Sequence, residues 1–110
     1  MPAADPVQQQ VDAFNAHDID AFLACYAPDV VVRHGDGRVL MHGHEEMRGA
    51  YSAFFTDPHL HARIVNRLQA GDWTVDEERV TVGDTNMHAL VGYQVRDGLI
   101  HTVVMLASDI

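Results

Sequence analysis

The sequence predicts an α+β domain in which helices pack on one face of a curved antiparallel sheet. Two short amphipathic segments open the chain, and a third helical segment follows a brief pair of strands. The second half is a run of strand-like segments separated by turn signals. Helices gathered ahead of hairpin-linked strands, instead of alternating with them, favour an antiparallel sheet over a parallel one. With 110 residues and 47% hydrophobic content, residues 1–110 make one domain with apolar material for a single core.

The first helix is expected over 5–16, where Val7, Val11 and Phe14 recur at helical spacing. The second spans 18–26, with Ile19, Phe22, Leu23 and Tyr26 on one face and Asp18 as its N-cap. Pro28 ends it, and the stiff run Val30-Val31-Val32 turns the chain into a strand over 29–34. Gly35-Asp36-Gly37 suits the positive φ of a tight hairpin leading into a strand over 38–42. Met47, Ala50 and Phe54 share a face of a third helix over 45–55, which stops at Thr56-Asp57-Pro58. Four longer strands follow over 59–70, 73–83, 86–96 and 99–107. Their turns are marked by Ala70-Gly71-Asp72, Gly83-Asp84-Thr85 and Arg96-Asp97-Gly98.

Composition excludes several classes of partner. The net charge of −9 comes from 16 acids against 7 basic residues, every one an arginine and none clustered. Such a chain has no patch to neutralise phosphates, so nucleic acid is not an expected partner. Nor is an anionic membrane, and no apolar run approaches the roughly eighteen residues that span a bilayer. The opening MPAADP lacks the basic and apolar regions of a secretory signal. Cys25 stands alone among apolar helical positions and reads as buried packing. A cytoplasmic location fits these features.

Strand alternation divides each strand into two faces. Val30, Val32 and His34 share one face of the first strand; Leu60, Ala62, Ile64, Asn66 and Leu68 share one of the third. The fifth offers Met87, Ala89, Val91, Tyr93 and Val95 as its apolar face. In the sixth, Ile100, Thr102, Val104 and Leu106 compete with His101, Val103, Met105 and Ala107. The fourth strand has no cleanly apolar face: Trp73, Val75, Glu77, Arg79 and Thr81 oppose Thr74, Asp76, Glu78, Val80 and Val82. His34 and Asn66 interrupt apolar faces, and Glu77 and Arg79 point the same way. Buried groups of this kind need partners, so they either satisfy one another or line a cavity.

The segment VDAFNAHDIDAFLACYAPDVVV over 11–32, with its N-A-x-D-[IL]-D and [YF]-A-x-D-V phrases, resembles the opening of the nuclear transport factor 2-like superfamily. That superfamily contains ketosteroid isomerases, limonene epoxide hydrolases and SnoaL-like polyketide cyclases. The resemblance covers nearly the whole chain in the same order of elements. It implies a cone-shaped (cystatin-like) fold of three helices on a bent sheet enclosing a pocket for a small apolar molecule. It puts the Trp73 set of the fourth strand and the His101 set of the sixth on the cavity side. It also implies a homodimer formed by the outer faces of the sheets, through Val80, Val82, Leu90, Val104 and Leu106.

By the same resemblance, His34 occupies the position of the proton-transferring Asp of the isomerases, and histidine ordinarily exchanges a proton near neutrality. Gln10 and Val91 stand where those enzymes carry the Tyr and Asp of their oxyanion hole, which argues against steroid isomerisation. Glu78-Arg79-Val80-Thr81 is similar to the Glu-Arg-Val-Asp of limonene epoxide hydrolases, with Thr81 replacing a carboxylate that Glu77 could supply. The expected catalytic set is therefore His34, Glu77 and Arg79. Asn66, Phe14, Val32, Tyr93, Thr81, Val91 and His101 are expected to contact the substrate. The reaction would be isomerisation, cyclisation or hydrolysis by proton transfer on a mostly apolar carbonyl- or hydroxyl-bearing molecule. The alternative is a non-catalytic ligand-binding or dimeric association module on the same fold. No redox or nucleotide cofactor is implied, since no Gly-rich phosphate loop is present. The pairs His42/His44 and His59/His61 fall at strand edges without further ligands, so no metal is expected.

Overall fold

The computed structural model describes residues 5–108. Met1–Ala4, part of the stretch read for a secretory signal, lie outside the described residues. Helix α1 (Pro6–Asn15) starts at Asp5, whose side chain accepts from the Val7 N–H at 3.0 Å. Pro6 sits in the first turn, where its missing N–H costs nothing. Helix α2 (Ile19–Leu23) is capped by Asp18, which accepts from the Ala21 N–H at 3.1 Å. This helix is shorter than its apolar spacing implies. Tyr26 already belongs to strand β1 (Tyr26–His34) and pairs with Ile100, whose N–H donates to the Cys25 carbonyl at 3.0 Å. Sheet pairing has overridden helical spacing there. Pro28 is tolerated inside the strand because the β1 ladder is interrupted between Tyr26 and Val31.

Strand β2 (Val39–His42) leads into helix α3 (Gly43–Phe55), followed by β3 (His61–Ala70), β4 (Trp73–Val82), β5 (Thr85–Arg96) and β6 (Leu99–Ser108). The six strands form one sheet in the order β2-β1-β6-β5-β4-β3. The expected α+β class is the observed one. Its sheet is mixed, however: β1 and β6 run parallel, and every other pair is antiparallel. Tight turns force antiparallel pairing between consecutive strands. β1 and β6 are joined only through the rest of the chain and escape that constraint.

The helices cover one face of the sheet. Phe22 sits at the centre of an aromatic cluster, with ring centroids 5.1 Å from Tyr26 and Phe55 and 5.2 Å from Tyr51. Asn15 ties the end of α1 to β3: its side chain donates to the Ala62 carbonyl at 2.9 Å and accepts from the Ala62 N–H at 2.7 Å. Of the expected core, Val30, Val32, Val91 and Val103 are buried, as is Cys25, while Phe14 and Ile64 are partly covered. Leu68 is 72% exposed, and a β-bulge explains it. Ile64 pairs with Glu78 but Asn66 pairs with Glu77, so Val65 is an extra residue. Beyond it the two faces of β3 exchange, sending Asn66 and Leu68 outward and Arg67 inward.

Candidate functional site

Between the helices and the inner face of the sheet lies a cavity of about 270 Å³. Its walls are almost wholly apolar: Phe14 and Phe22 from the first two helices, Met47, Tyr51 and Phe54 from α3, and Val32, Val80, Val91 and Val103 from the sheet. Phe54 is the most solvent-exposed of these aromatic residues, at 43%. Gln10, Tyr26, Tyr93 and Glu78 bring polar atoms to the lining, and all four are buried.

These four form one directed line of hydrogen bonds. Tyr26 donates to Gln10 Oε1 at 3.0 Å, and Gln10 Nε2 makes a long 3.5 Å contact to Tyr93 Oη. Tyr93 in turn donates to Glu78 Oε2 at 2.8 Å. Each proton points toward the next member, so the carboxyl of Glu78 is the terminal acceptor. Among the described residues nothing donates to Glu78 Oε1. Glu78 is only 8% exposed, and burial pushes its pKa up to about 7 against the opposing pull of the Tyr93 hydrogen bond. Asp76 adds to the rise and Arg67 counters it. Because Oε2 already accepts from Tyr93, a proton on Glu78 resides on Oε1. Burial holds the phenols of Tyr26 and Tyr93 well above their ordinary range, so both remain neutral donors.

Two residues along β4, on the same inner face, Asp76 is fully buried and gripped by Arg67. Arg67 Nε lies 2.7 Å from Asp76 Oδ1 and its Nη2 lies 2.9 Å from Oδ2, a bidentate pair. The third arm of Arg67 donates to Gln8 of α1 at 2.8 Å. The carboxylate of Asp76 is thereby compensated, whereas Glu78 faces the cavity and feels Arg67 only as a minor opposing charge.

Four of the expected contact residues, Phe14, Val32, Val91 and Tyr93, line the cavity. The rest of the expected constellation is not assembled there. His34 shares the face of Val32, but β1 carries it past the cavity; its half-exposed ring accepts from the Asp36 N–H at 3.2 Å. Glu77, Arg79 and Thr81 lie on the opposite face of β4. Glu77 accepts from Asn66 Nδ2 at 2.7 Å and pairs with His88 Nε2 at 2.7 Å, and these two bonds, Asn66's foremost, hold its carboxyl below the usual range. Thr81 donates to Asn86 at 2.9 Å, and Arg79 is exposed. His101 is the extra residue of a bulge between the Gln94–Thr102 and Val95–Ile100 pairs and does not reach the lining. His34 and Arg79 thus stand on opposite faces of the sheet, and the titratable carboxyl on the cavity lining is that of Glu78 instead.

The paired histidines serve the backbone or the surface. His44 Nε2 lies 2.8 Å from the Tyr26 carbonyl oxygen, and His59 is 3.7 Å from Asp57. Among the described residues no group of three or more His, Cys, Asp or Glu is arranged to hold a metal ion.

Comparison with known proteins agrees with this architecture. The profile of the SnoaL-like domain family matches residues 7–103, and the chain belongs to that family. An uncharacterised cystatin-fold protein from Novosphingobium aromaticivorans superposes with a TM-score of 0.83 at 22% identity, over 93% of this chain and 95% of that one. A hypothetical protein of ketosteroid isomerase-like fold from Catenulispora acidiphila, in complex with trimethylamine, superposes at 0.75 with 16% identity, over 96% and 87% of the two chains. A computationally designed 17-OHP binder superposes at 0.78 with 17% identity, over 93% and 87%. At these identities the likeness is one of fold. No curated protein matches the chain.

Proposed function

We propose that this chain binds a mostly apolar small molecule and moves a proton on its carbonyl or hydroxyl group, with Glu78 as the acid and base. The observation that carries the reading is a single carboxyl on the lining of an apolar cavity, its pKa pushed up to about 7. A group titrating there is present in both protonation states at neutral pH, the condition under which general acid–base exchange is efficient. Its acid proton sits on Oε1, the oxygen free to meet a ligand. Tyr93, donating to Oε2, stabilises the carboxylate left after transfer.

The expected result is that the protein accelerates exchange of the α-protons of cyclohexanone in D2O near neutrality, read by NMR, by at least about tenfold over buffer. Glu78→Gln should fall to the buffer rate. Equal rates for the two proteins would sink the proton-transfer role. A ligand-binding module without catalysis is the second reading. It is favoured by the presence of only one titrating acid on the lining, and by the designed 17-OHP binder and the trimethylamine complex on the same scaffold.

We also infer a homodimer formed through the outer face of the sheet and resident in the cytoplasm. Leu68, Val75, Gly92 and Val104 make a row across four strands of that face, with Leu90 at 40% and Leu106 at 48% exposure beside it. Val80 and Val82, expected in this interface, line the cavity instead. Light scattering at micromolar concentration should give twice the chain mass, and Leu90→Asp should halve it. A wild-type monomer would refute the assembly. No helix among the described residues is long and apolar enough to cross a membrane, and the lone buried Cys25 suits a reducing compartment.

A further inference from the structure

We propose that the ligand is an uncharged one-ring molecule with a single oxygen function, held between Tyr51 of α3 and Glu78 Oε1 of β4. The proposal deepens the reading of Glu78 as the site's polar group and rests on it. The size follows from the volume. A closed apolar cavity of about 150 Å³ suffices for benzene, and the present one is about 270 Å³, just under the usual small-molecule range of roughly 300–1,000 Å³. One ring with short substituents fits that space.

The position of the oxygen follows from an inventory of polar atoms. The hydroxyls of Tyr26 and Tyr93 and both ends of the Gln10 amide are already engaged with one another or with Glu78. Two groups on the lining are uncommitted among the described residues: Glu78 Oε1 and the Tyr51 hydroxyl. Tyr51 and Glu78 face one cavity, and the Glu78 charge acts on the Tyr51 phenol. The Tyr51 ring is fixed against Phe22 at 5.2 Å and Phe54 at 6.2 Å. Burial first, and that charge second, raise its pKa to about 12, so it stays a neutral donor. A ligand oxygen that accepts from Tyr51 and exchanges a hydrogen bond with Glu78 engages both groups at once, without displacing any hydrogen bond already made on the lining.

The absence of charge on the ligand follows from the walls. Among the described residues no Arg, Lys or His lines the cavity, so a carboxylate would sit beside Glu78 with no cation on the walls to offset it. An ammonium would surrender its hydration for one partly protonated carboxyl.

The test is isothermal titration calorimetry on the full chain at pH 7 with phenol, its isostere toluene, benzoate and benzylamine. Phenol should bind at least about tenfold more tightly than toluene, and benzoate and benzylamine more weakly than phenol. Tyr51→Phe should weaken phenol by about tenfold and leave toluene unchanged, which also shows that the variant is folded. Equal binding of phenol and toluene would overturn the oxygen contact while leaving the cavity reading intact. Equal weakening of both by Tyr51→Phe would reduce Tyr51 to packing. Tighter benzoate or benzylamine would overturn the neutral class, and binding of none of the four would remove both this inference and the cavity reading.

Discussion

Glu78→Gln should stabilise the folded chain by up to about 3 kcal/mol at pH 8 and change it little near pH 4.5. The folded carboxyl titrates at about 7, against 4.5 for the free side chain. Between those values the folded state holds a proton that the unfolded state has released. Stability therefore falls as pH rises through that window, and the loss is complete once the folded carboxyl ionises. Glutamine never ionises, so the variant lacks the slope. Asp36, Asp57 and Glu77, whose pKa values are lowered, make their contribution below the ordinary carboxylate range and leave this window undisturbed. Urea unfolding at pH 5, 6, 7 and 8 measures the difference between the two proteins. A wild-type curve as flat as the variant's would contradict the buried-acid assignment.

The second large effect belongs to the ion pair beneath the site. Arg67→Met leaves Asp76, which is 0% exposed, with an uncompensated buried charge and should cost about 3 kcal/mol of stability at neutral pH. Arg67 is itself 22% exposed, which places the expectation at the low end for a broken buried pair. Adding Asp76→Leu to Arg67→Met should recover most of the loss, because removing both charges also removes the desolvation penalty. Chemical denaturation of the single and double variants reads both numbers. A loss below about 1 kcal/mol in the single variant would show that water or neighbouring groups already solvate Asp76.

Local signals in the sequence settle most of the fold. Asp18 caps its helix as read, Gly37 adopts φ +94° in the expected turn, and each long strand lies within two residues of its turn-defined bounds. The ending of α2 was not legible, because Tyr26 satisfies helical spacing and is claimed by pairing with Ile100. The site was legible only in part. Val65, the bulged residue that reverses β3, carries no distinguishing sequence feature, so alternation alone puts Asn66 and Leu68 on the wrong face.

Glu78, by contrast, had a readable signal. A two-residue turn at Gly83-Asp84 pairs Val82 with Thr85, and counting back pairs Glu78 with Ala89 and Asp76 with Val91. Since Ala89, Val91 and Tyr93 form the apolar inner face of β5, the face of β4 holding Thr74, Asp76 and Glu78 must be inner too. Neither face of β4 is cleanly apolar by composition, and the family resemblance points to the Trp73 face. Tyr26 and Gln10 were hidden for different reasons: one by its place in the helical pattern, the other because an amide at an aromatic position reads as a loss. Alternation put His34 on the correct face, but it does not tell where a cavity ends along a strand.

The most direct test is an NMR titration of the Glu78 side-chain carboxyl carbon in 13C-glutamate-labelled protein, assigned by its disappearance in Glu78→Gln. The midpoint should fall at about 7, well above those of the exposed glutamates. A midpoint in the ordinary carboxylate range, near 4.5, would mean that Glu78 is ionised and solvated at neutral pH, and the cavity would have no acid to offer a ligand.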